Sequence, residues 1–157
     1  MKIAVVMGSK SDLPKLESGI ELIKSFGVEV IVRVLSAHRT PLELSEFLSE
    51  IEDNTDVIIA AAGKAAHLPG VIAAQTLIPV VGLPIKSSTM DGLDSLLSIV
   101  QMPGGIPVAT VTIDSGINAG LMAVQIASVK YPELRTKLSS YRKEMADKVL
   151  DDDASIN

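Results

Sequence analysis

Apolar residues recur along this chain in two rhythms. Short, nearly continuous runs at 3–7, 28–35, 56–61, 79–83 and 107–113 read as buried strands. Between them the apolar positions fall three and four apart, the spacing of one helix face. Leu16, Ile20, Ile23 and Phe26 make the first such stripe, with Pro14 in its first turn and Gly27 as its stop. Leu44, Phe47, Leu48 and Ile51 make the second, opened by Thr40-Pro41-Leu42-Glu43, which has the form of a capping box. A short Ala-rich helix to about residue 76, one with Leu93, Leu96, Leu97 and Val100, and one over 118–129 follow. The last helix starts near Pro132 and carries Leu134, Leu138, Tyr141, Met145 and Val149, with a frayed tail from about 151.

Strands alternating with helices through short loops imply a parallel sheet with right-handed crossovers. Five strands fit a three-layer, flavodoxin-like α/β fold with an extended C-terminal helix. There is no repeat, linker or low-complexity segment, so residues 1–157 read as one domain.

Composition sharpens this picture. The chain is 47% hydrophobic but only 3% aromatic, so its core is built from aliphatic residues and Met. The apolar runs at 56–66 and 68–85 are broken by Lys64, Pro69, Pro79 and Pro84, which argues against a membrane span. Large subunit interfaces are the expected home for the surplus. A net charge of −5 without a basic run argues against nucleic acid. The absence of cysteine excludes disulfides and thiolate catalysis. No signal peptide precedes the first strand, so a cytoplasmic location is expected.

Candidate chemistry gathers in the strand-to-helix loops, where ligands bind in open α/β sheets. Gly8-Ser9-Lys10-Ser11-Asp12 follows the first strand. It has neither the Walker A nor the dinucleotide spacing, and reads equally as a helix cap or an anion cradle. Ser36-Ala37-His38-Arg39-Thr40-Pro41 follows the second strand. It sets a group that moves protons near neutral pH beside one that grips phosphate or carboxylate. The other histidine, His67, lies in the loop at 63–70, either shaping it through a backbone carbonyl or touching substrate. Two histidines with few carboxylates nearby make a poor metal site. Residues 101–107, rich in Pro and Gly, read as a turn shaping a pocket or an interface, and Asn118 reads as a helix cap.

These segments, with Ala65-Ala66-His67-Leu68-Pro69-Gly70, the run 94–103 and Asn118-Ala119-Gly120, occur in an order that closely resembles the N5-carboxyaminoimidazole ribonucleotide mutases, small carboxyl-shifting enzymes of purine biosynthesis. The resemblance extends to about Leu150. It implies a flavodoxin-like homo-octamer, a ribonucleotide substrate and no metal, ATP or biotin. It makes His38 the catalytic proton carrier and gives the ribonucleotide to Ser9, Asp12 and Arg39. Ser11, Ser36, Gly63 and His67 match pocket positions, with Lys64, Ala65 and Leu68 in the same loop. Two departures stand out. Ala61-Ala62-Gly63-Lys64 replaces the usual Gly-Ala-Gly-Gly, so Lys64 stands where glycine is usual, and the segment before Asn118 is shorter. A carboxylase using free CO2 is the neighbouring reading. A non-catalytic flavodoxin-like module is the more distant one. The first strand ends in Met7-Gly8-Ser9 rather than an acidic cluster, and the chain offers few aromatics to stack on a flavin.

Overall fold

A computed structural model describes the chain from Met1 to Ile156. Its strands are β1 (Lys2–Met7), β2 (Glu29–Val34), β3 (Val57–Gly63), β4 (Val80–Ile85) and β5 (Ala109–Thr110). Its helices are α1 (Leu13–Ser25), α2 (Pro41–Ile51), α3 (Leu68–Ala73), α4 (Leu93–Val100), α5 (Gly116–Ala127) and α6 (Glu133–Ala154). The strands form one parallel sheet in the order β2-β1-β3-β4-β5, the flavodoxin-like order.

Side-chain alternation along the strands builds two cores. Ile3, Val5 and Met7 of β1 meet Val57, Ile59 and Ala61 of β3 under α1, α5 and the start of α6. Ala4 and Val6 meet Ile58 and Ala60 on the other face, under α2, α3 and Ile99 of α4. The first layer is held unusually close. A Cβ built on Gly19 of α1 would lie 2.1 Å from the Gly116 carbonyl oxygen of α5, and one on Gly116 would lie 2.3 Å from that of Lys15. These two helices touch backbone to backbone, which glycine permits and any side chain forbids.

One carboxylate clasps two distant segments. Asp56 accepts from the Lys2 backbone N–H (2.9 Å), the Lys130 ammonium (2.9 Å) and the Tyr131 hydroxyl (3.1 Å). Burial alone would raise its pKa, but these donors outweigh burial and hold it below the ordinary 3.8.

Several expectations are corrected. The run 28–35 is not a buried strand: β2 lies at the edge of the sheet, at the rim of the layers that cover its faces, and Val32 and Val34 are about half exposed. The strand expected at 107–113 shrinks to two residues at the opposite edge, since Pro107 has no N–H to give a ladder. α3 begins at Leu68, inside the expected loop, with Pro69 in its first turn. α5 begins at Gly116 because the Ser115 hydroxyl accepts from the Asn118 N–H; the Asn118 side chain donates to Thr112 Oγ1 and is no cap. Asp12 and Thr40 make no side-chain capping bond among the described residues. Thr40 Oγ1 instead accepts from the Ser36 N–H at 2.8 Å, closing the loop upon itself. The tail expected to fray from 151 continues α6 to Ala154.

Candidate active site

β1 has β2 on one side and β3 on the other, and α1 and α3 cover opposite faces of the sheet, so the loops after β1 and β3 part at its carboxyl edge. That opening is where such sheets hold ligands. A cleft of about 660 Å³ occupies it, within the range that takes a small ligand. All eleven expected site residues line it: Ser9, Ser11, Asp12, Ser36, His38, Arg39, Gly63, Lys64, Ala65, His67 and Leu68. The turn at 101–107 and Asn118 lie outside its lining.

On the β1 side a one-turn 3-10 helix, Lys10–Asp12, starts at Ser9. Ser9 Oγ accepts from the Ser11 N–H (3.3 Å) and the Ser11 hydroxyl (2.8 Å). Asp12 is half-buried beside them. Burial pushes its carboxyl above the ordinary 3.8, and the repulsion of Asp114 adds to this. Such a carboxylate gains most from new donors that a ligand would supply.

On the β2 side, Arg39 Nη2 donates to the Gly8 carbonyl at 2.6 Å and Nε donates to Ser36 Oγ at 3.3 Å. It pairs with no acid among the described residues. Its fork is pinned to the loop after β1, with further donors left for a ligand.

The β3 loop completes the cleft. Among the described residues, the His67 ring donates to no backbone carbonyl, and it does not stand alone. Its Nδ1 lies 3.0 Å from His38 Nε2, and the rings meet edge to face. Lys64 joins β3 to this loop with φ +58°, in the left-handed region. No group of three or more His, Cys, Asp or Glu gathers for a metal among the described residues. No helix among them is long and apolar enough to cross a membrane.

The sequence reading missed a fourth wall. Ile85, Lys86 and Ser87, at the end of β4, line the cleft beside Gly63. The Lys86 N–H donates to Asp114 Oδ1 at 2.8 Å, and its ammonium lies 2.6 Å from Asp91 Oδ1. The hydrogen bond to Asp91 holds the Lys86 pKa above the ordinary 10.5. The signal was positional: β4 neighbours β3, so the same loop rule applied, but no motif marks 86–87.

Comparison with known proteins bears on the fold and the family. A family model described as AIR carboxylase matches residues 2–148. An N5-carboxyaminoimidazole ribonucleotide mutase of Pyrococcus abyssi is 55% identical, covering 92% of this chain and 83% of its own. One of Thermotoga maritima is 48% identical, covering 96% and 88%. The crystal structure of Treponema denticola PurE superposes with a TM-score of 0.92 at 30% identity, covering 99% of this chain and 98% of that one. With a family match across almost the whole chain and relatives near half identity, this protein belongs to the AIR carboxylase family.

Proposed function

We propose that the protein moves a carboxyl group from N5 to C4 of an aminoimidazole ribonucleotide, as a mutase of cytoplasmic purine biosynthesis. The observation that carries this reading is the His38–His67 pair, set in one cleft with an arginine fork and a half-buried carboxylate. Arg39 grips the substrate phosphate through charge-assisted bonds, and Ser9 and Ser11 add neutral contacts. Asp12 accepts from the ribose hydroxyls.

The chemistry follows from the pair. A carbamate releases CO2 once its nitrogen gains a proton. The C4 carbon then attacks that CO2, and the proton on C4 must leave to restore the aromatic ring. With one proton to spare the histidine pair is an acid. After giving it up, the pair is neutral and has a bare nitrogen, so it is the base for the last step. The carboxyl returns to the substrate and the C4 proton returns to the pair, so no oxidant, reductant or nucleotide is consumed. Ala65 and Leu68 wall the space in which CO2 waits, making its recapture effectively unimolecular.

A second reading is favoured by the family's own description: a carboxylase that joins free CO2 to aminoimidazole ribonucleotide. One assay without ATP tests both. The mutase reading expects N5-carboxyaminoimidazole ribonucleotide to convert without added bicarbonate. Turnover only of aminoimidazole ribonucleotide with CO2 would replace it by the second.

The proposal extends to a homo-octamer. Val32 and Val34 on the β2 edge, Leu93, Leu97 and Val100 on α4, and Met145, Val149 and Leu150 on α6 leave apolar surface uncovered. Leu134 and Leu138 of α6 are buried in the chain's own core, so deleting the whole helix would test folding rather than assembly. Light scattering is expected to give eight times the 16.5 kDa chain mass. Val34→Glu or Met145→Glu should lower it, whereas a monodisperse monomer for the full chain contradicts the assembly.

A further inference from the structure

We propose that Lys64 is the residue by which the cleft distinguishes carboxylated from uncarboxylated ribonucleotide, pairing its ammonium with the carboxylate. This rests on reading the cleft as a carboxyl-transfer site and adds a role for a residue outside the proton shuttle. Three cations line the cleft: Arg39, Lys64 and Lys86. Arg39 is bound to Gly8 and Ser36, and Lys86 is bound to Asp91. Lys64 has no hydrogen bond or ion pair among the described residues and is exposed at the cleft wall.

Its placement fits the task. Lys64 follows the last residue of β3 and stands three residues before His67, whose ring touches that of His38. The carboxyl group that migrates must pass beside that pair. The phosphate end belongs to Arg39, which follows β2 on the far side of β1 from β3, and to the Ser9 turn that follows β1 itself. A free cation at the reacting end therefore has one chemical partner on the substrate, the carboxylate. The backbone shows that the side chain is kept against local preference. At φ +58° glycine is at ease and lysine is strained.

The test compares two ligands on the full chain by titration calorimetry: aminoimidazole ribonucleotide and its C4-carboxylated product. Lys64→Met is expected to weaken the carboxylated ligand roughly 10-fold, the scale of a lost charge-assisted bond, and the uncarboxylated one by less than about 2-fold. Lys64→Arg should keep most of the preference. The loss should shrink at about 0.5 M salt, where exposed pairs are screened. Lys64→Gly relieves the strained φ, so it keeps the fold and should lose the same preference as Lys64→Met. An unchanged ratio of the two affinities in both Lys64→Met and Lys64→Gly overturns the proposal, as does an unmodified chain with no preference. Failure of the mutase reading would appear elsewhere, as no ATP-free interconversion by the unmodified chain, while the binding ratio stays measurable.

Discussion

An imidazole bonded to another imidazole has one nitrogen left for a substrate. His38 spends Nε2 on His67, so in the proposed reaction its Nδ1, like His67 Nε2, is left to meet a ligand while the pair is intact. His38→Asn removes the titrating ring and keeps a side chain of similar reach. Ribonucleotide affinity should stay near that of the unmodified chain, while turnover falls by about 10²-fold or more, the scale of lost general acid–base help. Single-turnover kinetics beside a binding titration separate the two quantities, and near-normal turnover would remove His38 from the chemistry. At this scale the cleft was largely legible in the sequence. Ser9, Asp12, His38, Arg39 and His67 sit in short motifs of polar residues interrupting apolar runs, and such interruptions are visible in one dimension. The histidine contact was not, because it joins residues 29 apart and depends on how two loops face each other. Lys86 was missed for the opposite reason: it is an ordinary charged residue after a strand, and only its neighbour β3 makes it part of a wall.

Helix α1 meets α5 through Gly19 and Gly116, and this contact gives the most exacting steric requirement in the fold. In Gly19→Ala the new carbon would sit 2.1 Å from a carbonyl oxygen that is part of a helix and cannot swing aside. The helices must separate, thinning the layer that covers Ile3, Val5 and Met7. A loss of about 3 kcal/mol is expected, the upper end for overpacking. That corresponds to a melting temperature lower by roughly 6–12 °C for a domain of this size. Calorimetry of Gly19→Ala checks it, and an unchanged melting temperature would mean that the helices are not so tightly seated. Element types were readable because strand runs and helical stripes differ in period. Boundaries were less so. β5 has two ladder residues because sheet pairing, not apolar content, defines a strand, and α5 starts early because Ser115 rather than Asn118 caps it. The close helix contact left only scattered glycines as a trace.

Across the whole molecule, Asp56 ties the beginning of β1 to the turn that precedes α6. Its carboxyl titrates below the ordinary 3.8 when folded and near that value when unfolded, so the unfolded chain takes up the proton first as pH falls. The stabilisation is therefore fully present above about pH 4 and is lost as pH drops through the folded value. Asp56→Asn should lower stability at pH 7 by about 1 kcal/mol, and the difference in melting temperature from the unmodified chain should narrow by pH 3. A constant difference across that range would show that the charge is not what matters. The sheet order also has a consequence in time. β1 pairs with β3, Ile3 opposite Val57, only after a helix, a strand and a second helix have been wound between them. Closing so long a segment costs chain entropy before its contacts are made, which places such pairings late in folding. During synthesis or refolding, His67 remains a stranger to Ser9 and His38 until β3 docks, so competence to bind is a timestamp for completion of the central sheet.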